Sequence, residues 1–171
     1  VIVANPEGPY ILLNDHSAIE LAGYANSKIE CGEVIGINIE LRNYGLSDGN
    51  NLQAYLTSDD EFITISDNHE NCGTVPAGST ETFENAFSVI INEFIPDGHD
   101  VEFTVTIEDV VRETWVSEMK FSLSAPVLNL NSITVNDNAE GNGNGRLDPG
   151  ESASIIATFS NKGHSIARNT I

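Results

Sequence analysis

Residues 137–151 read Asp-Asn-Ala-Glu-Gly-Asn-Gly-Asn-Gly-Arg-Leu-Asp-Pro-Gly-Glu, a run of carboxylate and carboxamide side chains spaced by glycines. Calcium takes about six to eight oxygens at relaxed geometry, and an EF-type loop supplies them at positions 1, 3, 5, 7, 9 and 12 around a glycine at position 6. With Gly145 at position 6, Glu140, Asn142, Asn144, the Arg146 carbonyl, Asp148 and Glu151 occupy the ligand positions, and Asp137 offers a further short carboxylate. Leu147 falls where an apolar anchor is expected. The expectation is a structural calcium loop of modest affinity between two strands, because two of the donors are neutral amides and no helices flank it. The competing reading is a Gly/Asn turn whose side chains cap its own backbone.

This loop belongs to a pattern that the chain states twice. Ile29–Gly45 aligns without a gap on Leu147–Gly163 at a spacing of 118, with Gly32/Gly150, Glu33/Glu151, Ile37/Ile155, Asn43/Asn161 and Gly45/Gly163 identical. A period that long repeats a whole domain rather than a solenoid unit. The first copy is an internal control: the calcium register there places Ala22, Tyr24, Asn26, Ser27, Lys28, Glu30 and Glu33, so two ligands and the glycine are lost. No calcium is expected in the first module, and its Glu33 is expected to accept backbone N–H groups at the strand entrance.

Elsewhere the chemistry is sparse. Cys31 and Cys72 are too far apart in sequence for a clustered zinc site. In an exported protein they suggest one disulfide worth about 2–4 kcal/mol, and two separate thiols are the alternative. His16, His69, His99 and His164 are scattered, and His69 with Cys72 in a polar turn is a poor nucleophile–base pair. Nucleophile-elbow, zincin, phosphate-loop and dinucleotide fingerprints are missing from the sequence.

The elements that must position these residues are strands. Ile35, Ile37, Ile39 and Leu41 alternate with polar or small residues, and Ala153, Ile155, Ala157 and Phe159 repeat that face, which is expected to be buried in both copies. Similar stripes occur at Leu52–Leu56, Val101–Ile107 and Trp115–Leu123, with turn signals at Ser47–Asn50, Pro76–Gly78 and Pro96–Gly98. Seven to nine strands and no helix in roughly one hundred residues predict an all-β, antiparallel two-sheet sandwich. The expected layout is a linker at 1–8, a first sandwich at 9–125, and an incomplete second sandwich at 126–171. Pro126-Val127-Leu128 echoes Pro9-Tyr10-Ile11 at the junction. Ile171 corresponds to Gln53, so a partner for the second copy's open strands is expected in the first module, a neighbouring chain or a cleaved remainder.

The 171 residues carry a formal charge of −19. Residues 1–125 hold 22 acids against Lys28, Arg42, Arg112 and Lys120, and the remainder is nearly balanced. Such a surface repels phosphate backbones and argues against nucleic acid as a partner. No run approaches the roughly 20 apolar residues of a membrane span.

The stretch GNGNGRLDPGESASIIATFSNKG, together with FITISDNHENCGTVPAGST and FIPDGHDVEFTVTI, resembles the immunoglobulin-like, adhesion-type modules that follow catalytic domains in large secreted peptidases of Bacteroidetes, notably gingipain-like cysteine peptidases. The resemblance implies an extracellular, non-catalytic module, often tandem, that spaces a catalytic domain from the cell surface or contributes to adhesion. Its implied partners are other domains of the parent protein and a host or cell-surface protein or glycan. It also supports metal-ligand roles for Asn142, Asn144, Asp148 and Glu151. A carbohydrate-binding module and a substrate-access part of the peptidase are the alternative functions.

Overall fold

The computed structural model describes residues 6–111 and 113–168. Residues 1–5 of the expected linker, Arg112, and the last three residues of the second copy lie outside the described residues. The chain divides after Ser124 into two compact units.

Eight strands build the first unit: β1 (Ile11–Ala22), β2 (Val34–Asn43), β3 (Gly49–Thr57), β4 (Ile63–Asp67), β5 (His69–Val75), β6 (Thr80–Ile91), β7 (His99–Glu108) and β8 (Thr114–Leu123). They form two antiparallel four-stranded sheets, ordered β1-β2-β6-β4 and β5-β3-β7-β8. The alternation read in the sequence is the cause: Ile35, Ile37, Ile39 and Leu41 on β2 face inward with Phe87, Val89 and Ile91 of β6, all 2% exposed or less. Val101, Phe103, Val105 and Ile107 of β7 and Trp115, Met119 and Leu123 of β8 bury the inner face of the other sheet. Full burial of each such side chain contributes about 1.5–3 kcal/mol. This is the two-sheet antiparallel sandwich that the periodicity predicts.

The sheet margins are managed by the chain path. β4 belongs to the first sheet and β5 to the second, with only Asn68 between them, and the Leu56 N–H donates to the Asn68 carbonyl at 2.9 Å. The chain thus crosses between layers at one margin. At the other margin β1 lies along β8, where the Leu13 N–H donates to Ser117 Oγ at 3.2 Å and the His16 ring meets Phe121 edge-on at 5.1 Å. Closing a margin in this way limits the open backbone available to other chains.

The second unit has two strands among its described residues, β9 (Leu128–Glu140) and β10 (Ser152–Asn161), paired antiparallel. Their register repeats that of β1 and β2. Ile11 faces Asn43 and Leu13 faces Leu41, and in the same way Leu128 faces Asn161 and Leu130 faces Phe159. A shift follows after Leu13 in β1 and after Leu130 in β9, so Asn14 and Asn131 are the extra residues at the same place. β1 maps on β9 at a spacing of 117, and the strands after the loop map at 118, because β9 runs one residue longer.

The expected burial of the repeated face does not extend to the second unit. Ile155 is 65% and Phe159 56% exposed, whereas Ile37 and Leu41 are fully buried. The apolar pattern is the same, but the described residues of this unit hold no second sheet to cover it. No helix among the described residues is long and apolar enough to cross a membrane.

Candidate functional site

Each β-hairpin, β1–β2 and β9–β10, closes through a loop at the entrance of its second strand, and the two loops are wired alike. In the first, the Tyr24 and Glu30 N–H groups donate to the two carboxylate oxygens of Glu33, at 3.2 and 2.9 Å. In the second, the Asn142 and Asp148 N–H groups donate to the two oxygens of Glu151, at 3.0 and 3.2 Å. Asn26 Nδ2 donates to Glu30 at 2.9 Å and its oxygen accepts the Lys28 N–H at 2.9 Å. Asn144 does the same with Asp148 and Arg146, at 2.8 Å each. All of these pairs stand 118 apart, so the identical glutamate is a loop-closing acceptor in both units, the role expected for Glu33.

The glycine at each loop start permits this closure. A Cβ on Gly23 would sit 2.5 Å from a Glu33 carboxylate oxygen, and one on Gly141 would sit 2.7 Å from the Asp137 carbonyl oxygen. Gly143, Gly145 and Gly150 all adopt positive φ between 73° and 86°, a region that costs little only for glycine.

Of the residues expected to hold calcium, the fold brings together Asp137, Asn142, Asn144, Asp148 and Glu151. Asp137 is 2% exposed, and its two oxygens accept the Asn144 and Gly145 N–H groups at 3.0 and 3.2 Å. Asp148 accepts both the Asn142 and Asn144 carboxamides, at 3.1 and 2.8 Å. Glu140 lies in the β9 ladder opposite Ser152, and Arg146 enters the network through its N–H. Among the described residues, no three His, Cys, Asp or Glu side chains gather so as to hold a metal by themselves. Any cation here therefore depends on carboxamide and carbonyl oxygens as well.

The first loop holds an acidic group that the ungapped repeat did not reveal. Glu20 accepts the Ala25 N–H at 2.5 Å, while its other carboxylate oxygen is shielded and has no hydrogen-bond partner. Glu30 and Glu33 are 1% and 0% exposed. Burial pushes the Glu33 carboxyl above its ordinary range, the N–H bonds from Glu30 and Tyr24 act against this, and the charges of Glu20 and Glu30 add to the rise. Glu20 corresponds to Asp137 only at the spacing of 117, which is the offset that Pro9 and Pro126 also carry.

At the far end of each hairpin a second repeated device clasps the chain. Asn43 Oδ1 accepts the Tyr10 and Gly45 N–H groups at 3.1 and 2.9 Å, and its Nδ2 donates to the Ser47 and Val75 carbonyls at 2.9 and 3.0 Å. Asn161 accepts the Val127 and Gly163 N–H groups at 3.0 Å each and donates to the Ser165 carbonyl at 2.7 Å. A Cβ on Gly45 or Gly163 would sit 2.0 or 2.2 Å from the carbonyl oxygen of Gly8 or Ala125, so both positions require glycine for close backbone approach.

The cysteine expectation is corrected: Cys31 and Cys72 do not form a disulfide. The Cys31 N–H donates to the Ser124 carbonyl, just past the end of β8. Cys72 lies on β5 beside Leu52–Gln53, where Gln53 faces Glu108 and Glu108 faces Thr114 at the start of β8. The length of β8 therefore separates them, about 30 Å at strand rise, far beyond the roughly 7 Å limit between Cα atoms. Burial pushes the Cys72 thiol up to about 12, and the Glu70 charge adds to this, so the thiolate is disfavoured. His69, three residues away on the same strand, points to the opposite face and contacts Gln53 Oε1 at 2.8 Å. The Cys/His pair is not assembled.

No protein-family model matches the chain, and no curated protein sequence matches it. Among solved structures it is similar to the ASH / PapD-like domain of human CEP192 (PapD-like domain 7), at 14% identity and a TM-score of 0.34, over 65% of this chain and 84% of that one. It is also similar to the secreted serine protease VesC from Vibrio cholerae, at 17% identity and a TM-score of 0.37, over 64% of this chain and 26% of that one. The chain thus spans about a quarter of that protease's length. At these identities and scores the likenesses bear on neither activity nor partners, and the sandwich assignment rests on the strand pairing itself.

Proposed function

We propose that this chain is a non-catalytic, tandem β-sandwich accessory segment of a secreted bacterial multidomain protein, a peptidase, in which it serves spacing and adhesion. The observation that carries the reading is the repetition of framework parts alone. The Glu33/Glu151 loop closure recurs bond for bond and the Asn43/Asn161 clasp in three of its bonds, and both hold backbone in place. A scaffold used in series needs such parts. Trp115, the lone tryptophan, is 6% exposed and so offers no stacking platform for a sugar. Removing this segment from the parent protein should reduce its action on large or surface-bound substrates and leave turnover of a small soluble substrate unchanged. Equal losses on both would replace the spacer reading with one in which the segment shapes substrate access. Saturable binding on a glycan array would instead favour a carbohydrate-binding module.

Calcium is the proposed ligand of the loop at 137–151. Convergence of Asp137, Asn142, Asn144, Asp148 and Glu151 supports it, and Glu140 and the Arg146 carbonyl complete the proposed donor set. What competes with it is the saturation of the carboxylates by N–H groups: a cation at Asp148 needs both carboxamides reversed so that oxygen faces it. Calorimetry at millimolar calcium should show saturable heat that chelator removes and that Asp148→Ala with Glu151→Ala abolishes. Absence of heat would leave a self-closed Gly/Asn turn as the whole role of the loop.

A further inference from the structure

Residues 141–145 read Gly-Asn-Gly-Asn-Gly, so Asn142 and Asn144 each stand between two glycines, and they form the two Asn-Gly pairs of the sequence. In an Asn-Gly pair the glycine nitrogen reaches the side-chain carboxamide easily, because no Cβ crowds the approach. Local sequence thus gives both sites the same intrinsic reactivity. The side-chain bonds are matched as well: both Nδ2 groups donate to Asp148 Oδ2, at 3.1 and 2.8 Å, and the Oδ1 atoms accept the N–H groups of Asn144 and Arg146, at 3.0 and 2.8 Å. Gly143 and Gly145 share one conformation, with φ of 74° and 73°. What differs is the attacking nitrogen. The Gly145 N–H donates to Asp137 Oδ1 at 3.2 Å, and Asp137 is 2% exposed, whereas the Gly143 N–H has no hydrogen-bond acceptor among the described residues.

We infer that Asn142 is a site of spontaneous deamidation and that Asp137 shields Asn144 from the same reaction. The Gly143 nitrogen gives its proton to solvent base and attacks Asn142 Cγ; the new N–Cγ bond closes a succinimide ring as the Cγ–Nδ2 bond breaks and ammonia leaves. Water then opens the ring at either carbonyl, which yields aspartate or isoaspartate. At Asn144 the same attack must first take the Gly145 N–H off a carboxylate. That carboxylate is far too weak a base to accept an amide proton, and its charge opposes a second negative centre at the nitrogen. The product alters the loop: Asp148 loses a carboxamide donor and faces a carboxylate instead, and isoaspartate lengthens the backbone by one carbon. Solvent access to the loop tip is a property of the fold. Tyr24, Ala25, Asn26 and Ser27 stand at the places of Asn142, Gly143, Asn144 and Gly145 in the first unit, and all four are exposed there with both sheets present. The inference stands independently of the accessory-segment and calcium readings.

The test holds the full chain in mildly alkaline buffer with chelator present and maps aspartate and isoaspartate at 142 and 144 over time by fragmentation mass spectrometry. A synthetic peptide of residues 137–151 supplies the reference outside the fold, and there the two sites should convert at similar rates. In the folded chain Asn142 should convert at least about tenfold faster than Asn144, the factor expected for freeing an N–H from a charged acceptor. Asp137→Ala should raise the Asn144 rate to that of Asn142. Equal rates in the wild-type chain, faster conversion of Asn144, or an unchanged Asn142 while the peptide is consumed would each overturn the proposal. So would a preference for Asn142 that persists in Asp137→Ala. The wild-type comparison with the peptide decides even where that variant loosens the hairpin.

Discussion

Asn43 and Asn161 occupy equivalent places and make equivalent bonds, but Asn43 is fully buried while Asn161 is exposed. The difference is the fourth bond. Asn43 also donates to the Val75 carbonyl of β5, a strand of the opposite sheet, whereas Asn161 bonds to Val127, Gly163 and Ser165, all within residues 127–165. The comparison separates two layers of specification. Hairpin register, loop closure and clasp are satisfied inside about forty residues and recur wherever the pattern recurs. Burial is not: it needs the second sheet, and the same apolar stripe is core in one unit and surface in the other.

The widest gap between the units should come from truncating that stripe. Ile37→Ala removes a fully buried side chain and should cost about 3–4 kcal/mol, whereas Ile155→Ala should stay within about 0.5 kcal/mol. Urea unfolding followed by Trp115 fluorescence reads the first value, since Trp115 lies in the core of the first unit. Exchange along β10 reads the second. A loss at Ile155 approaching that at Ile37 would mean that the β10 face is covered in solution, and would break the contrast.

A smaller gap is expected at the clasps. Asn43→Ala strands the Tyr10 and Gly45 N–H groups and the Val75 carbonyl, and should cost about 3 kcal/mol on the same urea curve. Asn161→Ala should leave that curve unchanged and speed amide exchange at Val127 and Gly163, consistent with a cost of about 1 kcal/mol confined to the hairpin. Equal effects of the two substitutions on Trp115-monitored unfolding would show that the clasps are not separable.

The smallest effect concerns pH. Glu33 has its folded pKa raised from 4.5, so folding takes up a proton there. Its contribution to stability is fully present below about pH 4.5 and is lost as pH rises through the raised value. Asp100 has the opposite sign: the hydrogen bonds from Lys120 and Ser122 lower its pKa from 3.8, and its contribution is lost as pH falls. Glu33→Gln should cost about 1 kcal/mol in acid through loss of one N–H acceptor, with the wild-type advantage shrinking as the pH is raised above 4.5. An advantage that grows over that range would contradict burial as the dominant influence on Glu33.

Much of the loop framework is legible in the sequence. The 118-residue register picks out Glu33/Glu151 and Asn43/Asn161, and Glu33 accepts backbone N–H groups as expected; the same closure by Glu151 and the clasp by the two asparagines were not read from their identity. Glu20 was missed because the acidic partner of Asp137 lies at 117, beyond the single extra residue in β9 that an ungapped alignment cannot pass. The cysteine pairing was misjudged because sequence separation says nothing about which end of a strand each thiol occupies. The 40 residues between Cys31 and Cys72 carry the chain along the sandwich on β2, back on β3 and out again on β4 and β5, which leaves the thiols at opposite ends.

By itself the sequence determined what is local: period-two apolar stripes, glycines at positive φ or close backbone contact, and Asn and Glu side chains whose partners lie a few residues away or across one hairpin. Tertiary structure decided what is distant. The crossing of β4 into β5 at Asn68, the separation of the two thiols, and the exposure of Ile155 against the burial of Ile37 all depend on which sheet comes to lie over which. The physical reason is that backbone hydrogen bonds and turn geometry are short-ranged and repeat with the residues that make them, whereas burial is a property of the layer opposite, which a strand's own sequence can prepare for but cannot supply.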